Sequence, residues 1–185
     1  MGRLEGKVIL ISGGAKGQGA TESIMFAGEG AKIIIGDILD DEGLKIESQI
    51  RELGGDATFV HLDVTQESDW DNAVKTAISS YGGLNVLVNN AGNNRPEHFT
   101  KVKKADMDYI VNLNLKACFN IAQICTKKML EAKNRKKIGG SIINMSSQLG
   151  KVGAPIRSVY NMTKFGLEGL TRGMAIDLAK SNIRV

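Results

Sequence analysis

The amino-acid sequence predicts an open α/β sheet: a middle layer of parallel strands, doubly wound, with helices on both faces. The first observation is that short apolar runs alternate with longer helical stretches, which favours parallel strands joined by crossover helices. The second is that these runs are apolar throughout, as expected where both faces of a sheet are covered. The third is a glycine-rich turn directly after the first run, typical of doubly wound sheets.

Five runs are predicted to be strands because each is short, rich in β-branched residues and bounded by polar or glycine residues. They are Lys7–Ser12, Lys32–Asp37, Asp56–His61, Leu84–Asn89 and Ser141–Ser146. The helical stretches between and after them are approximately 19–29, 41–53, 67–81, 106–132 and 158–181. No linker, internal repeat or low-complexity tract interrupts this alternation, so we expect one domain over residues 1–185.

Composition favours a soluble protein of a reducing compartment. Apolar residues make up 42% of the chain, yet no apolar run is long enough to span a bilayer. The first seven residues include Glu5 and no long apolar stretch, unlike a signal peptide. Cys118 and Cys125 lie on one face of a predicted helix, where two buried thiols are more plausible than a disulfide or a metal site. We therefore expect a cytoplasmic location, no membrane partner and no metal.

The formal net charge of +4 does not by itself indicate a nucleic-acid partner. No aromatic residues are interleaved with the main basic cluster, and no nucleic-acid-binding motif accompanies it. A solvated helix end and loop explains the cluster better, because cations complement the helix dipole there. The cluster consists of Lys127, Lys128, Lys133, Arg135, Lys136 and Lys137.

The first predicted strand runs into the segment Ser12–Gly19, in which Gly13, Gly17 and Gly19 precede a helix. Glycines allow a tight turn and a close approach of the backbone to a diphosphate, whose charge a helix N-terminus stabilises. A plain glycine loop is the alternative, since the chain has 22 glycines. The position between a strand and a helix favours a nucleotide.

Asp37 ends the second predicted strand, where a carboxylate can accept hydrogen bonds from a ribose and repel a 2′-phosphate. This favours NAD over NADP, although an ordinary helix-start aspartate is the alternative. Lys16 in the glycine turn argues mildly for NADP, since its amine could meet a 2′-phosphate; a solvated loop lysine is the other interpretation. Asp63, after the third strand, could contact adenine or could shape a turn together with Thr65. His61 is interpreted as a structural residue at a strand end.

Tyr160 and Lys164 occupy positions i and i+4 of a predicted helix, so they share one face. A positive charge beside a phenol stabilises the phenolate, which can then act as a general acid and base. Such a pair can arise by chance and needs support from the rest of the chain. Ser147 precedes the tyrosine; without the pair it would be an ordinary loop serine.

These motifs, in this order and spacing, resemble the short-chain dehydrogenases/reductases. The resemblance runs from about residue 5 to the last residue and rests on six segments. They are Ser12–Gly19, Asp63-Val64, Asn89–Gly92, Asn114, Ser147 and the pair Tyr160 and Lys164. The segments 37–43 and 61–65 look like those of NAD-dependent bacterial hydroxysteroid and cyclic-alcohol dehydrogenases.

The resemblance implies a Rossmann-like domain that transfers a hydride between NAD(H) and a secondary alcohol or ketone. Tyr160 is implied as the proton acceptor, Ser147 as the substrate hydrogen-bond donor and Lys164 as the partner of the tyrosine and the nicotinamide ribose. Asn114 fits the family's catalytic asparagine better than Asn112, and is implied to hold a water linking Lys164 to solvent. The implied cofactor contacts are Ser12, Gly13, Gly17, Gln18, Gly19, Asp37, Asp63, Val64, Asn90, Ala91, Gly92, Tyr160 and Lys164.

The segment 182–185 corresponds to the start of the family's sixth strand, so the resemblance implies a C-terminally truncated fold without the final strands and the substrate lid. We expect the fifth strand to become a sheet edge with an uncovered apolar face, and the chain to be poorly soluble or inactive. The alternatives are a non-catalytic dinucleotide-binding protein and an epimerase or dehydratase on the same scaffold. The family's pairing of its long helices implies a homo-oligomer, a dimer or tetramer.

Overall fold

The computed structural model describes residues 2–131 and 139–185, and its centre is a parallel sheet of six strands. In chain order the strands are β1 (Val8–Ser12), β2 (Lys32–Asp37), β3 (Asp56–His61), β4 (Val86–Asn89), β5 (Gly140–Asn144) and β6 (Ile183–Arg184). Their spatial order is β3-β2-β1-β4-β5-β6, and each neighbouring pair is parallel. From β1 the chain adds β2 and β3 on one side of the sheet and then β4, β5 and β6 on the other. This change of side places a crevice at the carboxyl ends of β1 and β4.

In the described ranges, six α-helices connect and follow these strands. They are α1 (Gly17–Gly28), α2 (Asp40–Glu52), α3 (Glu67–Tyr81), α4 (Lys104–Val111), α5 (Ala117–Glu131) and α6 (Ser158–Leu178). None of the helices in the described ranges is long and apolar enough to cross a membrane.

Both faces of the sheet are buried, as the unbroken apolar runs predicted. On one face Leu10, Ile34 and Leu87 pack with Trp70 of α3 and Ile121 of α5 in one apolar cluster. On the other face a second cluster covers the alternate strand residues, together with residues of α1 and α2; its buried members are Ile9, Ile11, Ala27, Ala31, Ile33, Ile35, Ile50, Ala57 and Val88. The three-layer α/β prediction is confirmed.

The expectation that β5 would form the edge of the sheet is wrong. Ile183 and Arg184 form β6 and pair with Gly140 and Ser141, and Asn182 directly before them has a left-handed backbone conformation. On the side of the sheet that α1 and α2 cover elsewhere, Ile143 of β5 is 39% exposed.

The predicted helix 106–132 is two helices joined by a π-helical turn, Asn112–Lys116, in which the amide of Ala117 bonds to the carbonyl of Asn112. Its last predicted residue and most of the basic cluster lie outside the described residues. Within the described part, Lys128 forms an ion pair with Glu131 at 2.8 Å. The predicted helix 158–181 ends at Leu178 and continues as a 3-10 turn.

Candidate active site

The glycine turn leaves the N-terminus of α1 available to an anion. Lys16 precedes the helix in an extended conformation without a side-chain capping hydrogen bond, and no acidic residue lies in the first turn. The first amides of a helix have no partner inside it. Gly17 has φ +54°, and a Cβ there would meet nothing within 4 Å, so the backbone is open to a bound group. Free amides beside open space fit the diphosphate that the sequence predicts.

A small hydrogen-bond cluster joins this turn to the end of β4. The amides of Asn90 and Ala91 both donate to Oγ of Ser12 at 3.1 Å. Nδ2 of Asn90 donates to the carbonyls of Ser12 and Gly13 at 3.1 and 3.0 Å. Gly19 lies against the same turn, where a Cβ would come within 2.1 Å of the carbonyl oxygen of Gly13. Ser12 therefore supports the turn from beneath, with a side chain only 1% exposed.

Asp37 connects the end of β2 to the glycine turn. Its Oδ2 accepts a hydrogen bond from the amide of Ala15 at 3.0 Å, and its Oδ1 accepts one from the amide of Leu39 at 3.1 Å. The residue is 8% exposed and its carboxylate retains further acceptor capacity. This geometry fixes the carboxylate in one orientation at the wall of a cavity.

Asp63 has the turn-shaping role that the sequence left open. Its Oδ1 accepts hydrogen bonds from the amide and the hydroxyl of Thr65 at 2.9 and 2.8 Å. Its own amide donates to Asp69 in the first turn of α3. Asp63 and the neighbouring Val64 also lie in the wall of the same cavity, so the structural role does not remove them from the site.

Two adjoining cavities lie at the carboxyl ends of the strands and share Asn90, Gly92 and Asn93 in their walls. The larger, about 650 Å³, contains Gly13, Lys16, Asp37, Asp63, Val64 and Ala91 in its wall, together with Ile38, Leu62, Thr65, Tyr109, Asn112 and Leu113. The smaller, about 320 Å³, is also lined by Gln18, Asn94, Met145, Ser146, Tyr160 and Lys164. A two-part ligand can therefore extend from Asp37 to Tyr160 past the end of β4.

Tyr160 and Lys164 lie one turn apart on α6, as their spacing predicted. Nζ of Lys164 is 5.5 Å from the centroid of the Tyr160 ring. It donates a hydrogen bond of 2.5 Å to the carbonyl of Met145, directly after β5. Burial lowers the pKa of the Lys164 ammonium, because desolvation disfavours its charge. The carbonyl of Met145 holds the amine at the floor of the smaller cavity.

Asn114 lies in the π-helical turn and is 2% exposed. Its Oδ1 accepts a hydrogen bond from the amide of Asn93 at 2.9 Å, and its Nδ2 donates to the carbonyl of Asn93 at 2.8 Å. Nδ2 also donates to the hydroxyl of Thr163, next to Lys164, at 3.3 Å. Asn114 thus connects the loop after β4 to α6, whereas Asn112 is exposed and lines the larger cavity.

Ser147 follows Ser146 at the end of the β5 segment and is partly buried. Its Oγ accepts a hydrogen bond from the amide of Leu149 at 3.1 Å and caps the 3-10 turn Gln148–Gly150. Among the described residues it is Ser146 that lines the smaller cavity. The hydroxyl of Ser147 remains able to donate a hydrogen bond while it accepts this one.

A family model for short chain dehydrogenases matches residues 7–185, nearly the whole chain. The chain belongs to the short-chain dehydrogenase family. The predicted resemblance is confirmed, and so is the expectation of an oxidoreductase that acts on CH–OH groups.

Individual relatives of this short-chain dehydrogenase support the same assignment. It is 44% identical over 184 residues to a 3-alpha-(or 20-beta)-hydroxysteroid dehydrogenase of Mycobacterium tuberculosis, covering all of this chain and 68% of the relative. It is 38% identical over 185 residues to a cyclopentanol dehydrogenase of Comamonas testosteroni, covering 72% of that protein. A crystal structure described as that of a short-chain alcohol dehydrogenase from Sinorhizobium meliloti superposes with a TM-score of 0.91 at 32% identity, over 98% of this chain and 70% of that one.

Three residues that hydrogen-bond around the site of this short-chain dehydrogenase were not among those predicted from the sequence. Asn93 contacts Asn114 through both backbone groups, and Thr163 bridges Asn114 to the carbonyl of Tyr160. Asn144 connects Asn89 of β4 to Thr171 of α6 with hydrogen bonds of 2.9 Å each. A signal existed for Asn144, since it is a polar residue at a strand end, in register with Asn89. Asn93 and Thr163 gave none, because their roles depend on partners far away in the sequence.

Proposed function

We propose that this protein is an NAD-dependent oxidoreductase that interconverts secondary alcohols and ketones by hydride transfer. The observation that carries the proposal is that Tyr160 and Lys164 share a cavity wall with Asn90, whose side-chain amide donates a hydrogen bond to the carbonyl of Gly13 in the glycine turn. A proton-transfer pair thus adjoins a site with the free helix amides that suit a dinucleotide. The named activities of the relatives agree with this reaction class.

In the proposed reaction the chain's residues orient the alcohol and handle its proton. When bound in the smaller cavity, the nicotinamide supplies the hydride acceptor for the carbinol carbon. Tyr160, as phenolate, accepts the hydroxyl proton, and Ser147 donates a hydrogen bond to the substrate oxygen. Lys164 stabilises the phenolate and binds the nicotinamide ribose. Asn114 holds the loop after β4 against α6, which keeps these groups at fixed separations.

The preference for NAD over NADP is proposed from the larger cavity. Asp37 presents a buried, oriented carboxylate there, and a carboxylate repels a 2′-phosphate while accepting hydrogen bonds from ribose hydroxyls. Glycine-turn residues Gly13, Gly17 and Gln18 are proposed to lie along the diphosphate. Asp63, Val64 and Ala91 are proposed to surround the adenosine.

We propose a steroid or cyclic secondary alcohol as substrate, because the relatives are named for such substrates. A cytoplasmic location is proposed from the two free, buried thiols, which suit a reducing compartment. A homo-oligomer is proposed from the apolar residues that α6 leaves exposed, Met162, Phe165 and Ile176.

Replacing Tyr160 with Phe tests the proposed reaction. The phenyl ring keeps the packing of the tyrosine but cannot accept a proton, so turnover of a cyclic secondary alcohol should fall by about 10²- to 10⁴-fold. NADH formation measured by absorbance at saturating substrate gives the turnover. Binding of NAD, measured by calorimetry, should remain within about threefold of the wild type, which keeps a loss of turnover separate from a loss of fold.

Tyr81→Phe is a matched control, because that hydroxyl contacts Thr58 at 3.0 Å, at the sheet rather than in the smaller cavity. Its turnover should match that of the wild type. Near wild-type turnover of the Tyr160 variant would contradict the proposed reaction. If the wild type binds NAD and turns over none of the screened secondary alcohols, the non-catalytic alternative would be favoured instead.

A further inference from the structure

An ion pair lies at the mouth of the larger cavity and has no part in the proposed reaction. Nζ of Lys16, in the glycine turn, is 3.3 Å from Oε1 of Glu42, in the first turn of α2. Lys16 lines the cavity together with Asp37 and Ile38. The pair therefore adjoins the end of the cavity where, under the proposed function, the adenosine ribose binds.

We propose that Glu42 enforces the preference for NAD over NADP by holding the Lys16 ammonium away from the ribose 2′ position. The inference rests on the proposed function and adds a second residue to the discrimination made by Asp37. Glu42 acts through Lys16 and is a positioning residue for selectivity, not a catalytic one.

Lys16 is the group that would otherwise favour a 2′-phosphate. Among the described residues that line the larger cavity, its side chain carries the one positive charge, and Asp37 and Asp63 carry the negative charges. An ammonium on a flexible stem is a common phosphate ligand. An unpaired Lys16 would thus offset the repulsion between Asp37 and a 2′-phosphate. When Lys16 is paired with Glu42, the carboxylate of Glu42 already compensates its positive charge.

Exposure and charge both fit this role for Glu42. The Lys16 side chain is 65% exposed and that of Glu42 is 35% exposed, so the pair lies at the surface and removing it should not disturb the core. The Lys16 ammonium beside it holds the pKa of the Glu42 carboxyl below its usual range, so Glu42 carries its negative charge at neutral pH. Asp37 differs from Glu42 in its partners, because both of its carboxylate oxygens accept hydrogen bonds from backbone amides.

The test uses two fragments of the cofactors, 5′-AMP and adenosine 2′,5′-bisphosphate, so that binding is read without turnover. Calorimetry on the purified protein gives the ratio of their dissociation constants. Glu42→Gln keeps the shape and removes the charge, and should shift this ratio by about fivefold towards the bisphosphate, the size expected for one exposed ion pair. The shift should shrink in 0.5 M salt, because exposed charges are screened.

Two further variants separate the ion pair from a general effect of charge. Asp41→Asn removes a negative charge from the same turn of α2. Asp41 itself forms no ion pair with the described residues, so this change should alter the ratio by less than about twofold. When Glu42→Gln is introduced into a protein that already carries Lys16→Gln, the ratio of dissociation constants should not shift. Equal shifts for the Glu42 and Asp41 variants, or a shift that survives loss of Lys16, would overturn the proposal. If the wild type binds neither NAD nor the fragments, the proposed function itself fails; if it binds NAD and the ratio does not respond to Glu42→Gln, only this inference fails.

Discussion

Ile156 adopts a backbone conformation that β-branched residues rarely hold. Its φ is 53°, in the left-handed region, and its side chain is 50% exposed. The carbonyl of Ile156 accepts a hydrogen bond from the amide of Glu97 at 3.1 Å, which joins the loop before α6 to the loop after β4. Because this contact fixes the backbone between two loops that border Tyr160, the strain persists in the folded protein.

Replacing Ile156 with Gly should therefore stabilise the protein. A left-handed conformation costs a side-chain-bearing residue about 1–2 kcal/mol, and the greater freedom of glycine in the unfolded chain offsets part of the gain. We expect the free energy of unfolding, measured by urea denaturation, to rise by about 0.5–1 kcal/mol.

Val152 provides the matched control in the same loop. It is also aliphatic and 55% exposed, but it is not among the residues with positive φ. Val152→Gly should lower the free energy of unfolding by about 0.5–1 kcal/mol, since glycine relieves no strain there. A lower stability of the Ile156 variant, similar to that of the Val152 variant, would contradict the strain at Ile156.

At the scale of the element, α5 places two thiols inside the protein. Cys118 is 7% exposed and Cys125 is fully buried, and both are free thiols, as predicted. Burial raises the pKa of each thiol to about 12, and the nearby Lys164 charge acts in the opposite direction on Cys118. Both thiols therefore stay protonated in the folded protein at a pH where they ionise in the unfolded chain.

These thiols make the stability of the protein depend on pH above about 9. A raised pKa in the folded state gives a contribution that is complete below the unfolded pKa and is lost as the pH rises towards the folded pKa. As the pH rises from about 8.5 to about 10, the free energy of unfolding should fall by about 1 kcal/mol for each thiol.

Urea denaturation of the wild type and Cys125→Ala at both pH values checks this dependence. The alanine variant should lose about 1 kcal/mol less over the interval, whatever its stability at neutral pH, because alanine does not titrate. The wild type serves as the reference for every other group that titrates there. Parallel pH profiles for the two proteins would contradict the linkage.

The π-helical turn between α4 and α5 is a second feature at this scale. An amphipathic pattern predicts one helix, and the extra residue in the turn rotates the following segment relative to it. As a result Asn114 points into the protein, where Asn93 and Thr163 satisfy its amide. The same turn leaves Asn112 exposed at the larger cavity. The π turn thus determines which asparagine is buried between the loop after β4 and α6.

For the whole molecule, the exposed face of α6 is the strongest indication of self-association. Met162, Phe165 and Ile176 are 48%, 48% and 78% exposed, and their spacing places them along one side of the helix. Several large apolar side chains exposed on one side of a helix are consistent with an interaction surface. A second copy of the chain is the occupant that we propose.

Phe165→Glu should therefore convert an oligomer into a monomer. A charge in the centre of an apolar interface is desolvated without a partner, which disfavours association strongly. Light scattering coupled to size-exclusion chromatography measures the mass directly. Leu53→Glu is the control, since Leu53 is 71% exposed at the end of α2 and should leave the mass unchanged. A monomeric wild type, or an unchanged mass for the Phe165 variant, would contradict this interface.

The sequence by itself determined the order of the strands and the main motifs of the candidate site. Unbroken apolar runs indicated the strands, because strands of a sheet that is buried on both faces have few positions for polar residues. The glycine turn and the pair Tyr160 and Lys164 were readable because each depends on local spacing, along a turn or along one helix face. The segment 182–185 was the exception, since its pairing with β5 depends on a short strand of two residues.

Only the tertiary structure decided which polar groups are already used and which face the cavities. The hydroxyl of Ser12 is engaged by Asn90 and Ala91, although its position in the motif suggested a cofactor contact. Lys16 is paired with Glu42, although its position in the turn suggested a free amine. The physical reason is the same in both cases: these hydrogen bonds and ion pairs join residues far apart in the chain, and parallel strands bring them together only when the sheet forms.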